Sequence, residues 1–409
     1  MSRGTTLAAL TALYAAQGVP FGLAAEYLPV ILRQAGYTRV QIAALFWLQL
    51  PWQLKPLWAW IGDHPAVMPR ARVWLLCLQV ALALTLAGYA LFDPARGLTP
   101  WFALTAAAAL LAATQDVFVD AFAVRALAEG DRGLGNSAQI AGYRVGIILG
   151  GGGMLLLAGE LGAGRTALAA AALVLLTAGA AFALRARASV EPEPVVAATH
   201  ASRVSAIWSL ARVALGRRAI AVALLAATYK LGVHAASTLV KPMLVDAGWT
   251  AKSIGTVVVT VGTASAIAGS VLGGLAHRYL GEARALAAGA ALQALTIVPL
   301  ALAERAGLPY EPTAVAIAVE HAASGLGTTV LFAALMTATH PGHAAMHYTA
   351  LTSLNALAIG LGGLLGARLG DTWGVEPALV AAAVLSLGPL LLLPSWSEHA
   401  AASRRGAPA

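Results

Sequence analysis

Charge is scarce in this chain. Asp, Glu, Lys and Arg together make up 11% of its 409 residues, against about 25% in soluble domains, which excludes a molecule whose surface is mostly wetted. Cysteine is scarcer still: Cys77 stands alone, so neither an intramolecular disulfide nor a cysteine metal cluster is available. Catalytic motifs are missing too. There is no H-E-x-x-H and no G-x-S-x-G, which leaves a membrane-embedded hydrolase without its machinery. No A-x-A-like site follows a short apolar core near the N-terminus, so the stretch after Thr6 reads as a retained first helix and not as a signal peptide. Acids are fewer than bases, 18 against 26, giving a net charge of +8. Such a surplus raises the question of nucleic acid, and the placement of the bases answers it below.

What the chain has in abundance is apolar sequence, 59% of all positions. It recurs in segments of about 20 residues, the length that crosses a bilayer as a helix. Twelve such spans run roughly over 6–31, 39–62, 73–92, 101–125, 135–159, 164–184, 219–245, 251–276, 284–303, 312–337, 347–369 and 376–395. The expected fold class is therefore an all-α membrane protein. The one long polar stretch, Arg185 to Arg218 with Glu191-Pro192-Glu193-Pro194 inside it, falls between the sixth and seventh spans. It divides the chain into a six-helix bundle over 1–187, a linker over 188–218 and a second six-helix bundle over 219–409. Within the linker Ile207, Trp208, Ala211 and Leu215 share one helical face, with Arg203, Arg212, Arg217 and Arg218 nearby, the pattern of a basic helix lying on a membrane surface.

Fifteen of the 26 Lys and Arg fall on the side that holds the N-terminus, and seven on the other. By the positive-inside rule both termini and the linker are cytoplasmic. The bases are a topology signal, and nucleic acid is not an expected partner.

The halves echo each other at one offset. Gly36-Tyr37-Thr38 and Ile42 recur 212 residues later as Gly248-Trp249-Thr250 and Ile254, and Gly150-Gly151 as Gly362-Gly363. Pro29 and Pro242 correspond within one residue. Parallel six-helix repeats place a substrate site at their interface near the midplane. Gly150 to Gly153 is followed by no Gly-Lys-Ser/Thr and reads as close helix packing, not as a phosphate loop.

An ionisable residue within a span costs several kcal/mol unless it faces a cavity or a partner. Here Glu26, Asp116, Asp120 and Glu320 stand against Lys55, Arg144, Lys230 and Lys241, with His234 and His321 also inside spans. Asp116 and Asp120 are spaced i, i+4 on one face of the fourth span. Arg144, mid-depth in the fifth span, is within reach of Asp116. That pair is either a static lock or a carboxylate that trades its Arg for a proton, and repulsion between two carboxylates one turn apart favours the second. Asp116, Asp120 and Glu320 are thus the proton-coupling candidates, with Arg144 and Lys55 as charge-pair partners. Lys55 is a structural residue or a partner for Asp120. Lys230, near the middle of the seventh span beside Tyr229, suits an anionic group on a solute or pairs with Glu320. Tyr14, Gln17, Glu26, Tyr229 and His321 complete the candidate substrate-contacting set; Glu26 and Lys241, toward the outer ends, gate the pathway or snorkel. His340, His343 and His347 have a spacing that would suit a metal, but Pro341 interrupts it, and no metal or cofactor is expected.

Leu54-Lys55-Pro56-Leu57-Trp58-Ala59 with Asp63, Thr114-Gln115-Asp116-Val117-Phe118-Val119-Asp120-Ala121, Gly142-Tyr143-Arg144-Val145-Gly146, Gln17-Gly18-Val19-Pro20-Phe21-Gly22 and Tyr229-Lys230-Leu231-Gly232 resemble the AmpG-type permeases and the related acetyl-coenzyme A transporters of the major facilitator superfamily. The resemblance runs the length of the chain, with its strong matches in spans one, two, four, five and seven. It implies the major facilitator fold, twelve transmembrane helices in two pseudo-symmetric six-helix bundles. It also implies proton-linked transport of a bulky, usually anionic solute (muropeptide, acyl-coenzyme A or siderophore) across the cytoplasmic membrane. A monomer is the expected state. One departure stands out: the superfamily's charged loop after the second helix is only Gly62-Asp63-His64, and its second-half counterpart is His277-Arg278. A membrane sensor or scaffold of the same fold is the rival reading, and a membrane enzyme a weaker one.

Overall fold

The computed structural model describes residues 3–58, 61, 70–126, 132–183, 217–338 and 344–393. Within them the regular structure is helical throughout. Ten helices are long and apolar enough to cross a membrane: Gly4–Gln34, Ala71–Leu91, Thr99–Asp120, Ala141–Gly179, Ile220–Asp246, Ala251–Leu280, Glu282–Arg305, Tyr310–Thr337, Leu351–Trp373 and Val375–Leu392. Large apolar side chains such as Leu84, Leu176, Leu295 and Val384 lie on their outer surfaces. In water that would be a liability, and in a bilayer these are the faces that meet lipid.

The difference from twelve spans arises at two places. Ala141–Gly179 is 39 residues long, about 58 Å at 1.5 Å per residue and twice a hydrocarbon core. Gly162 lies inside it with φ 77° and ψ 164°, left-handed backbone that glycine alone adopts freely. The fifth and sixth expected spans lie either side of that break. Around the expected second span the backbone is a chain of short pieces, α-helical over Arg39–Ala43 and Leu50–Leu54 and 3-10 over Ala44–Gln49 and Lys55–Leu57. Pro51 and Pro56 stand in the first turns of the last two pieces. Each lacks an N–H and so restarts the helix instead of continuing it.

The chain forms two compact units: Met1–Glu193 with Gly248–Thr260, and Pro194–Ala247 with Val261–Ala409. In the first, helix α1 (Arg3–Gly22) runs on through a π-helical turn, Leu23–Tyr27. Helix α2 (Thr99–Ala126) carries the paired aspartates, and helix α3 (Arg132–Ile148) packs on α1. Gly146 makes that packing close: a Cβ there would run into the Ala15 carbonyl oxygen and lie 2.7 Å from the Gly18 Cα. Leu10, Leu13, Tyr14, Leu75, Phe118 and Val119 form a buried cluster beside the aspartates. In the second unit, helix α4 (Arg217–Thr228) gives way at Tyr229–Lys230 to helix α5 (Leu231–Asp246). Helices α6 (Gly262–Leu280), α7 (Glu282–Arg305), α8 (Tyr310–Thr337), α9 (Ala344–Trp373) and α10 (Val375–Leu387) follow.

The repeat seen in the sequence is also a repeat of backbone geometry. Gly36 and Gly248 have φ of 89° and 80°, and Thr38 and Thr250 each cap the next helix, accepting from the N–H groups of Gln41 and Ser253. Gly162 and Gly374 share φ/ψ of 77°/164° and 91°/166°. Gly150 abuts the Val19 carbonyl as Gly362 abuts that of Leu231. All of these pairs lie 212 residues apart. The expected linker helix falls on residues outside the described ones, as do His340 and His343.

Candidate functional site

Each unit buries one constellation of polar residues. In the first, Asp116 is 6% exposed and forms an ion pair with Lys55. Lys55 opens the short 3-10 turn that ends in Leu57, and that restarted backbone aims the ammonium at α2. One turn along α2, Asp120 accepts two hydrogen bonds on Oδ1, from the Tyr14 hydroxyl at 2.8 Å and from Gln139 Nε2 at 3.2 Å. Both donors are neutral, and among the described residues Asp120 forms no ion pair within 4 Å. Phe21 contacts Trp52 edge-on at 6.0 Å and Tyr143 at 5.7 Å. Gln17 is 1% exposed, and among the described residues its Nε2 has no hydrogen-bond partner.

This corrects the expected Asp116–Arg144 pair. Arg144 is exposed, and the carboxylate of Asp116 belongs to Lys55. The cause lies in helix phase. Gly142 and Gly146 both face α1, against the Thr11 and Ala15 carbonyls, and a residue midway between them is turned about 200° away. The expected link from Lys55 to Asp120 is likewise replaced by Lys55–Asp116.

In the second unit Lys230 is 2% exposed. Its Nζ donates to Gln293 Oε1 at 2.9 Å and to the carbonyl and Oγ of Ser324, both at 3.1 Å. Three donors meet three neutral oxygens. Glu320 does not ion-pair with Lys230: its Oε2 lies 2.9 Å from His321 Nδ1, and its Oε1 is buried without a partner. Glu320, the acid whose field reaches Lys230, thus lies against another basic group, and among the described residues the expected pairing between the two is absent. Tyr229 serves the core, fully enclosed by Val222, Leu225, Leu286 and Leu335, with its hydroxyl donated to the Leu286 carbonyl at 2.9 Å. Glu26 lies half-buried in the π-helical turn, its Cβ and Cγ filling the space left by Gly151. His321 packs over Gly262 in the same way.

Charge counting missed Gln293, Ser324 and Gln139, the neutral groups that hold these charges. Gln293 had a signal: it is an amide within an otherwise apolar span, and a buried amide must be bonded. Ser324 and Gln139 had none, because small polar residues also serve plain helix packing.

No family model matches this chain. An uncharacterized protein of Haemophilus influenzae is 30% identical over 353 residues, covering 83% of this chain and 82% of that one. The anhydromuropeptide permease of Escherichia coli K12 is 29% identical over 310 residues, which span 74% of this chain and 62% of the permease. Among solved structures, a bacterial homologue of the human lysosomal transporter Spinster, inward-facing and unoccupied, superposes with a TM-score of 0.68 at 14% identity, covering 96% of this chain and 97% of that one. The helical architecture is therefore that of the major facilitator transporters, and the chain is a multi-pass membrane transporter. It belongs to the AmpG-type permeases of the major facilitator superfamily.

Proposed function

We propose that this transporter is a proton-coupled permease that carries a bulky anionic or amphiphilic solute across the cytoplasmic membrane by alternating access, as a monomer with both termini in the cytoplasm. The observation that carries the reading is the unequal treatment of two carboxylates one turn apart. Asp116 has its counter-ion in Lys55, whereas Asp120 is held by the neutral donors Tyr14 and Gln139. Asp120 can gain or lose a proton without breaking an ion pair, and its two donors can stay on the unprotonated oxygen throughout. Asp116 and Lys55 then act as the fixed frame, and Asp120 as the coupling group.

Lys230 is the cation for the solute. It is held by neutral oxygens, and an anion gains more from an ammonium than a neutral oxygen does. Within the same unit, His321 is a further polar group proposed to meet the solute. The Escherichia coli relative is named for anhydromuropeptide transport, and muropeptides, acyl-coenzyme A and siderophores form the panel to try. The test is uptake of that panel into membrane vesicles under an imposed pH gradient. Asp120→Asn loses uphill uptake and keeps counterflow, because exchange of bound solute needs no empty deprotonated carrier. Full pH-driven accumulation in Asp120→Asn overturns the reading.

A further inference from the structure

The second unit contains an acid that the coupling scheme leaves unused. Glu320 is 1% exposed, near the middle of α8. Among the described residues its Oε1 has no hydrogen-bond partner, and its Oε2 lies 2.9 Å from His321 Nδ1. That nitrogen also lies 2.9 Å from the Ile317 carbonyl. Two oxygens around one nitrogen favour the tautomer with the hydrogen on Nδ1, which places that N–H beside both the Ile317 carbonyl and the Glu320 carboxylate. A buried carboxylate with one oxygen unbonded is poorly held as an anion.

The surroundings supply little compensation. Of the helices packed on α8, α6 presents Gly262 to the His321 ring and α7 presents Gln293, whose oxygen is taken by Lys230. His277, Arg278, Glu282 and Arg284 lie at the ends of those helices, near the Gly281 turn. Lys230 lies within electrostatic reach of Glu320 and, among the described residues, makes no ion pair with it. His234 lies in turn in the field of Lys230 and Lys241.

We infer that Glu320 is a second proton-binding site of this transporter, oriented by His321 and separate from Asp120. The proton adds to Oε1, the oxygen that has no donor, while Oε2 keeps its bond from His321. Protonation removes the negative charge that competes for Lys230, so an anionic solute then meets an ammonium with only neutral oxygens to displace. Loss of the proton restores the competing charge. This consequence rests on the proposed role of Lys230; the proton site itself does not.

Infrared difference spectroscopy between neutral and acid pH reads it without any solute, on the full-length protein in lipid nanodiscs. The carboxylic-acid C=O band of a protonated side chain grows as pH falls, and glutamate labelled with carbon-13 at its side-chain carboxyl shifts the glutamate bands to lower frequency while leaving aspartate bands in place. The expected result is a labelled band in the wild type that persists in Glu26→Gln. It disappears in Glu320→Asp, which keeps a carboxyl group for folding. In His321→Gln, which removes the ring donor, the midpoint of the band moves. Absence of a labelled band, its survival in Glu320→Asp, or titration of imidazole signals alone overturns the inference. A midpoint unmoved in His321→Gln overturns the positioning role. Failure of the aspartate scheme shows instead in the unshifted bands, so the two outcomes are read separately.

Discussion

The Tyr14 hydroxyl donates to Asp120 Oδ1 at 2.8 Å, joining residues 106 positions apart. The bond links the first helix to the fourth expected span at the carboxylate that forms no ion pair among the described residues. Asp116, one turn back on the same helix, is held by an ammonium. Two acids of one type on one helix face therefore answer differently to substitution.

Asp116→Asn leaves Lys55 without its counter-ion. Breaking a fully buried pair costs about 3–5 kcal/mol, but the Lys55 side chain is 27% exposed, so a loss of about 1–3 kcal/mol is expected. Asp120→Asn keeps an oxygen for Tyr14 and Gln139 and costs under about 1 kcal/mol. Thermal unfolding of the two variants in detergent compares them directly. Equal losses remove the distinction between frame and coupling group.

Anion binding strengthens as pH falls. Protonating an acid near Lys230 removes a competing negative charge, so the affinity for an anionic solute rises from about pH 8 to about pH 5. In Lys230→Gln this dependence disappears together with most of the affinity. Calorimetric titration at several pH values measures both. An affinity that is flat over that range, or unchanged in the variant, leaves Lys230 a structural residue.

The orientation is checked in a Cys77→Ala background. Ala306→Cys, beyond the end of α7, reacts with a membrane-impermeant maleimide in intact cells. Arg284→Cys, at the start of the same helix, reacts only after the membrane is opened. The reverse pattern turns the topology over, because the positive-inside reading then fails.

Glycines at close helix contacts tolerate no methyl group. Gly150→Ala drives a Cβ into the Val19 carbonyl, and Gly362→Ala drives one into that of Leu231. Each is expected to cost about 3 kcal/mol. Gly179, with nothing within 4 Å of the added atom, accepts the same change, and replacing glycine within a helix by alanine stabilises it by about 1 kcal/mol. Melting temperatures of the three variants give the ranking.

Much of the fold is legible in the sequence because apolar length is a local signal: a helix that must cross lipid announces itself in 20 consecutive residues. The exceptions are also local in origin. Pro51 and Pro56 divide the helical backbone of 39–57 into short pieces, and Gly162 breaks the helical backbone within one long apolar segment. The site is less legible, since its contacts depend on helix phase, which the spans alone leave open. Depth placed Arg144 near Asp116, whereas the glycine face of α3 turned it away and left the ion pair to Lys55. Depth likewise put Lys230 level with Glu320. Neither their rotamers nor the neutral oxygens of Gln293 and Ser324 that occupy the ammonium can be read from charge spacing.

The 212-residue repeat ends where the charges begin. Glycine turns, threonine caps and helix crossings recur in both halves, yet the positions equivalent to Lys55, Asp116 and Asp120 are Ile267, Thr328 and Phe332, and the position equivalent to Lys230 is Gly18. The duplicated scaffold carries unduplicated chemistry at these buried sites, so none of these four charged residues has an understudy in the other half. A single neutral substitution at any of these four positions therefore cannot be covered by its repeat partner, however similar the two backbones are.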